Sequence, residues 1–154
     1  MDSIIIKTPI GTMVAKADCN GVCSLDFTDE NIVVSAIGTD NRHLKQLEVE
    51  LKEYFDAKRR EFSITLVPVG TSFQMSVWDA LQKITHAETV SYAKEAEMLG
   101  RPSAVRAVAN ANGKNPIAIL IPCHRVIASD GSIGGYSGGI WRKEFLLKLE
   151  KVSR

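Results

Sequence analysis

Cys123 stands between Pro122 and His124, with Arg125 next, and a thiol in that company is a candidate nucleophile. The attacking species is the thiolate, so a thiol with a free pKa of about 8.5 needs a proton acceptor or a positive charge nearby. His124 and Arg125 can supply either. An apolar run, Ile117-Ala118-Ile119-Leu120-Ile121, precedes the thiol and reads as a buried strand or extended segment, which Pro122 ends because it lacks a backbone donor. On an extended chain neighbouring side chains point to opposite faces, so His124 is expected to reach Cys123 through a water. Read alone, the thiol also fits as a small core hydrophobe, since free cysteine is among the most buried residue types.

The elements that must hold this stretch are legible on both sides of it. Ile4–Lys7, Met13–Ala17 and Val22–Phe27 are strand-like, with turns at Pro9-Ile10-Gly11 and Asn20-Gly21. A two-residue Asn-Gly hairpin turn sets Cys19 opposite Val22 rather than Cys23. A loop is expected over Thr28–Asp40. From Asn41, the positions Leu44, Leu47, Leu51, Tyr54 and Phe55 fall at helical intervals, which predicts an amphipathic helix lying on the sheet. Lys58-Arg59-Arg60 breaks that pattern, and Phe62, Ile64 and Leu66 then alternate as a last strand. Val67-Pro68-Val69-Gly70 marks an expected boundary between domains at 1–68 and 69–154.

Beyond it, Thr71-x-x-Gln74 is a capping box opening a helix with the stripe Phe73, Val77, Trp78, Leu81 and Ile84. Ser91 is an N-cap for a helix from Tyr92 to Leu99, Gly100–Ser103 is a turn, and Ala104–Asn112 is a second short helix. Helix, glycine turn, helix is the grammar of a helix-turn-helix. After the thiol come a turn at Ser129–Ser132, the glycine-rich loop Gly134-Gly135-Tyr136-Ser137-Gly138-Gly139, and a closing helix over Trp141–Lys151. That helix buries Phe145, Leu146 and Leu149, and Glu150 reads by default as a surface carboxylate. The glycine-rich loop is not a phosphate loop, because no Gly-Lys-Ser/Thr follows. The fold class is α+β.

Charge divides the chain more clearly than composition does. Residues 1–68 carry 8 Lys+Arg against 11 Asp+Glu, a net −3, whereas residues 69–154 carry 11 against 7, a net +4. A basic second half suits a phosphate backbone as partner. Three cysteines leave at least one thiol unpaired, no secretion signal is visible, and no apolar run approaches the roughly 18 residues of a membrane span. A reducing, soluble compartment is expected, the cytosol by default. Cys19 and Cys23 lack further ligands at matching spacing, since neither His43 nor His86 completes a set, so no metal is expected.

Read as blocks, residues Thr71 to Glu150 resemble the O6-alkylguanine-DNA alkyltransferases, which take an alkyl group from damaged guanine onto one of their own cysteines. The blocks are Ile119-Leu120-Ile121-Pro122-Cys123-His124-Arg125-Val126-Ile127 and Gly134–Gly139, preceded by Ser91-Tyr92, Arg106-Ala107-Val108 and Asn115-Pro116. The resemblance implies a ribonuclease-H-like first domain and a winged helix-turn-helix second domain. It further implies a monomer that needs no cofactor, binds double-stranded DNA through the minor groove, and acts once on alkylated guanine, and on O4-alkylthymine as well. In the cell such a protein would sit in the cytoplasm at the nucleoid, or in a nucleus.

The same resemblance assigns roles residue by residue. Cys123 is the acceptor, and Cys123, a water, His124 and Glu150 form the relay that makes the thiolate, so Glu150 is no longer a surface group. Arg106 fills the space left by the extruded nucleotide. Tyr92 crowds the 3′ phosphate and faces guanine N3, and Asn115 links the recognition helix to the active-site turn. The carbonyls of Cys123 and Val126 and the amide of Ser137 read the guanine edge, and Tyr136 is a pocket wall. Ser103, Ala104, Ala107 and Arg125 join the DNA contacts. Thr85 and Ala87 depart from the Pro and Gly common in the family at the link between the first two helices of this half, which bears on the turn there. Two rivals stand beside this reading: a DNA-binding regulator without chemistry, and a Cys-His hydrolase, which would draw its His from a distant segment.

Overall fold

A computed structural model of the protein describes residues 1–29 and 39–153. It is an α+β fold. Strands β1 (Asp2–Thr8), β2 (Gly11–Ala17) and β3 (Val22–Thr28) form an antiparallel meander in the order β1-β2-β3, with Ile6 opposite Met13 and Ala15 opposite Leu25. The inward residues Met13, Ala15, Val22 and Leu25 meet Leu44, Leu47 and Leu51 of helix α1 (Arg42–Phe55), and all seven are fully buried. Asn41 starts α1 by accepting from the amides of His43 and Leu44, and its Nδ2 donates to the Asp18 carbonyl at 3.0 Å, pinning the helix to the β2–β3 loop. The loop expected over Thr28–Asp40 lies for the most part outside the described residues.

Two details of this half differ from expectation. Ala17, not Cys19, pairs with Val22, after a register shift between Lys16 and Ala17. The Asp18 carboxylate accepts from the amides of Asn20 and Gly21 at 2.7 and 3.2 Å, making a wider loop, and Gly21 lies so close to Thr65 that a Cβ there would sit 2.5 Å from its carbonyl oxygen. Tertiary contact thus overrides the tight Asn-Gly turn. Cys19 and Cys23 are both free thiols. The segment holding Phe62, Ile64 and Leu66 makes only a single bridge, Val22 to Leu66, rather than a full strand. Its Ser63 amide and hydroxyl both donate to Glu50 of α1, at 2.8 and 2.7 Å, so a side chain takes what a neighbouring strand would have bonded.

Helix α2 (Ser72–Leu81) opens with the Thr71–Gln74 capping box, and Trp78 Nε1 donates to the Ala111 carbonyl at 3.0 Å, tying it to α4 (Val105–Gly113). Helix α3 (Tyr92–Met98) starts at the Ser91 N-cap and packs against α4 through the Gly100–Ser103 turn. The two-residue strands β4 (Val90–Ser91) and β5 (Val126–Ile127) pair in parallel, which sets the start of α3 beside the chain leaving Cys123. Helix α5 (Ile140–Val152) closes the chain, with Leu146 fully buried and Phe145 and Leu149 partly so.

The apolar run before the thiol is a turn and not a strand. Ile117 bridges to Leu25, and the chain then reverses, with Ile119 at φ +72° and the Ile121 amide donating to the Ile117 carbonyl at 3.0 Å. An apolar run signals burial, and burial is common to a core strand and to a turn packed under a sheet. A β-branched residue in the left-handed region is strained by on the order of 1 to 3 kcal/mol, a strain held here by packing on both sides.

Candidate active site

Cys123 begins a 3-10 turn over Cys123–Arg125, so it is not on an extended segment, and its residue exposure is 9%. Asn115 organises this turn. Its Nδ2 donates to the Ile121 carbonyl at 2.6 Å and to Cys123 Sγ at 3.3 Å, while its Oδ1 accepts from the Ile117 amide at 3.0 Å. Burial pushes the Cys123 thiol up, and the Asn115 hydrogen bond and the Lys143 charge pull it back. At rest the sulfur is a protonated thiol with a donor already in place for the anion.

His124 is fully buried and its Nε2 lies 2.6 Å from Glu150 Oε2. A carboxylate accepts only, so Nε2 carries the proton and Nδ1 presents a lone pair. Nδ1 is buried with no hydrogen-bond partner in the described residues. Burial pushes the imidazole toward its neutral form, with Glu150 opposing.

Glu150, which sequence pattern alone assigned to the surface, is 1% exposed. Besides His124 it accepts from Tyr54 Oη at 2.6 Å, Arg125 Nε at 2.9 Å, Arg125 Nη2 at 3.1 Å and the Ala87 amide at 3.3 Å. Burial alone would raise this carboxyl, but the bonds and charges of His124 and Arg125 outweigh it and hold it well below the usual carboxylate range. The Ala87 amide reaches Glu150 because Ala87 adopts φ +67°, a conformation that glycine would enter without strain.

Arg125 corrects an expectation. The family resemblance places it among the DNA contacts; instead it is 7% exposed, two of its nitrogens bond Glu150, and Nη1 donates to the Ile84 carbonyl at 2.7 Å. It holds the carboxylate. Arg106, Ala107 and Ser103 are exposed on the outer side of α4 and its preceding turn, and Ala104 is half-buried at the start of that helix.

Tyr92 opens α3, half-buried, with its hydroxyl against the glycine-rich loop. A Cβ on Gly134, where φ is +75°, would sit 2.9 Å from Tyr92 Oη, so that loop packs as closely as it does only with glycine there. Tyr92, Asn112, Cys123, Tyr136 and Ser137 line a cavity of about 430 Å³. A neighbouring cavity of about 520 Å³ shares Cys123, Tyr136 and Ser137 and extends to Asp26 and Phe27 of β3. Tyr136 Oη is buried and unpartnered among the described residues, and the Ser137 residue is exposed at the rim.

Two site residues carried no motif that sequence reasoning used. Lys143 is fully buried, and its Nζ donates to the carbonyls of Val126 at 2.6 Å and Gly135 at 3.0 Å. Burial depresses its pKa to about 8, against a pull from Cys123. A signal existed: Lys143, Leu146 and Glu150 share one face of α5 at helical spacing, which puts two charges inside an apolar stripe. Tyr54 looked like one more member of the α1 core stripe, yet its hydroxyl joins the Glu150 cluster from the other half of the chain. Tyr54→Phe removes one hydrogen bond to a charged acceptor, which should lower stability by about 1.5 to 3 kcal/mol without a cavity. Thermal unfolding of the variant beside wild type measures it.

Among the described residues no group of three or more His, Cys, Asp or Glu could hold a metal ion, and no helix is long and apolar enough to cross a membrane.

The sequence profile of the 6-O-methylguanine DNA methyltransferase DNA-binding domain matches residues 72–152, and that of the ribonuclease-like domain of the same proteins matches residues 3–68. A methylated-DNA--protein-cysteine methyltransferase of Methanosarcina barkeri is 45% identical over 150 residues, covering 96% of this chain and 95% of that one. One from Mycobacterium leprae is 42% identical over 148 residues, 95% of this chain and 90% of its own. Among solved structures, Mycobacterium tuberculosis O6-methylguanine methyltransferase superposes with a TM-score of 0.87 at 39% identity, covering 99% of this chain and 93% of that one. Mycobacterium tuberculosis OGT in complex with DNA gives 0.86 at 40% identity, covering 96% and 91%. With both profiles in order along one chain and relatives matching nearly end to end, the chain belongs to the 6-O-methylguanine DNA methyltransferase family.

Proposed function

We propose that this DNA-repair methyltransferase takes the alkyl group of O6-alkylguanine in double-stranded DNA onto Cys123, once per molecule. The observation that carries the assignment is the cluster itself: a thiol with an amide donor 3.3 Å from sulfur, beside an imidazole whose far nitrogen is held by a buried carboxylate. A water joins Sγ to the free Nδ1 of His124, and the thiol proton passes along it as the thiolate forms. Glu150 and Arg125 hold the imidazole in the tautomer that accepts.

Sulfur then attacks the alkyl carbon, the S–C bond forms as the C–O6 bond breaks, and the electron pair leaves on guanine. Tyr92 donates a proton at N3 and the Ser137 amide faces O6, which lowers the barrier to expelling that anion. The carbonyls of Cys123 and Val126 read the base edge, and Tyr136 walls the pocket. Lys143 uses one lone pair of the Val126 carbonyl and leaves the second for the base. The thioether has no hydrolytic exit, so turnover ends there, which separates this chemistry from that of a Cys-His hydrolase. O4-alkylthymine presents a similar ether and is a second substrate.

A base within a duplex must leave the stack to reach a buried thiol. In this reading a monomer in the cytoplasm, at the nucleoid, approaches the minor groove with α4. Ser103, Ala104 and Ala107 allow close approach, Arg106 fills the vacated space, and Tyr92 crowds the phosphate. The chain divides at residues 68 and 69 into a domain that braces the relay through Tyr54 and one that binds DNA. Arg106→Ala tests the extrusion step. Extrusion is worth a few kcal/mol, so duplex repair should slow by roughly tenfold or more, while reaction with free O6-benzylguanine should stay within about twofold of wild type. Equal losses on both substrates would remove Arg106 from this role.

A further inference from the structure

Glu95 is buried to 0% exposure on α3, the helix that carries Tyr92, and the transfer mechanism gives it no task. Its Oε1 accepts from Asn112 Nδ2 of α4 at 2.7 Å. The partner atoms, Glu95 Oε2 and Asn112 Oδ1, are both buried and both without a hydrogen bond among the described residues. Asn112 lines the same cavity as Cys123 and Tyr92. A carboxylate facing an amide makes one bond and leaves two oxygens unserved, because neither has a proton to give. A carboxylic acid facing the same amide makes two.

We propose that Glu95 is a positioning residue carried as the neutral acid, its Oε2 proton donated to Asn112 Oδ1 in a reciprocal acid–amide pair that locks α3 to α4 at the wall of the pocket. The surroundings agree. Arg106 of α4, Asp79 of α2 and the Lys94–Glu97 pair of α3 are all exposed, and β5 is apolar, so among the described residues no cation meets the carboxyl. The titratable neighbours are Tyr92 and Cys123, both acids, and Lys143 acts on Cys123 instead. Burial, opposed only by the Asn112 bond, raises Glu95 to about 7. Ionised, Glu95 would surrender one bond of the pair and set a negative charge against the thiolate of Cys123. The pair itself follows from the packing of the helices, while its effect on transfer rests on Cys123 being the acceptor.

Glu95→Gln keeps shape and both hydrogen bonds but removes the titration. Single-turnover methyl transfer by wild type, Glu95→Gln and Glu95→Ala is followed on O6-methylguanine duplex between about pH 6 and pH 9, with melting temperatures of the same proteins from about pH 5. At the acid end Glu95→Gln should match wild type within about twofold, and at the alkaline end it should be severalfold faster, with Glu95→Ala slower than Glu95→Gln throughout. A carboxyl raised on folding contributes stability that is complete below its unfolded value near 4.5 and is lost as pH rises through about 7. The melting temperature of wild type should therefore fall relative to Glu95→Gln across that window, and the difference should level off above it.

Infrared difference spectra of wild type, which need neither DNA nor a folded variant, should show a protonated-carboxyl band near pH 6 that is gone by about pH 9. Absence of that band, or parallel melting and rate profiles for wild type and Glu95→Gln, overturns the proposal whether or not Cys123 accepts methyl. Methylation of neither protein, with the band present, overturns the assignment of Cys123 and leaves the pair intact.

Discussion

Incubated with duplex DNA carrying O6-methylguanine, the protein should gain about 14 Da, the mass of one methylene, on the peptide that contains Cys123, and Cys123→Ser should gain nothing. Each molecule of wild type should react once. The expected loss in the variant is complete because the proposed relay needs a thiol: Asn115 can still donate to a hydroxyl at this position, but an alcohol is too weak an acid for His124 to ionise. DNA affinity of Cys123→Ser should stay within about twofold of wild type, since the exposed face of α4 lies apart from the buried thiol. Quantitative mass spectrometry with a DNA-binding titration on the same samples checks both halves. Residual transfer by the variant would place the acceptor elsewhere, and a regulator without chemistry would leave both proteins at their original mass.

Glu150→Gln should be the most destabilising isosteric change in the molecule. The carboxylate takes hydrogen bonds from Tyr54, His124, Arg125 and the Ala87 amide while buried to 1% exposure. Substituting an amide leaves the Arg125 guanidinium buried without a counter-charge, and removing one partner of a buried ion pair costs about 3 to 5 kcal/mol. For a chain of this size that corresponds to a fall in melting temperature of roughly 6 to 20 °C. The pH dependence has a definite sign. A carboxyl held below its unfolded value contributes stability that is present above that value, near 4.5, and disappears as pH falls through the folded one. The gap between variant and wild type should thus be steady from about pH 6 upward and narrow only in acid below about pH 4.5. Methyl transfer to free O6-benzylguanine should fall by about a hundredfold or more, because an imidazolium formed without Glu150 is uncompensated. A melting temperature equal to that of wild type would show that Arg125 finds another partner.

Local pattern carried the secondary structure wherever a residue's own chemistry decides it. The Thr71–Gln74 box, the Ser91 cap, the α1 stripe and the helix-turn-helix all lie within a residue or two of where periodicity and capping set them. Elements decided by distant partners were illegible. Ser63 bonds Glu50 in place of a strand, Gly21 yields to Thr65, and the run before Cys123 turns because β3 receives its backbone at Leu25.

The same division runs through the site. By itself the sequence determined the cysteine, its histidine and the order of the blocks around them, because those are properties of residue type and spacing along one chain. Only the tertiary structure decided the environment of each charge. Arg125 read as a charge serving the thiol or DNA, Lys143 stood in no pattern, and Glu150 read as a surface acid until a family role was assigned to it, yet all three are buried against partners 8 to 96 residues away. Burial is what turns them from solvated charges into groups that orient an imidazole, hold a loop and oppose a thiol's reluctance to ionise, and burial is a sum over neighbours that no local window contains. Glu95 and Tyr54 make the point most sharply. Sequence pattern singled out nothing at the first and made the second core filler, and each acquires its chemistry from a single atom contributed by a separate element.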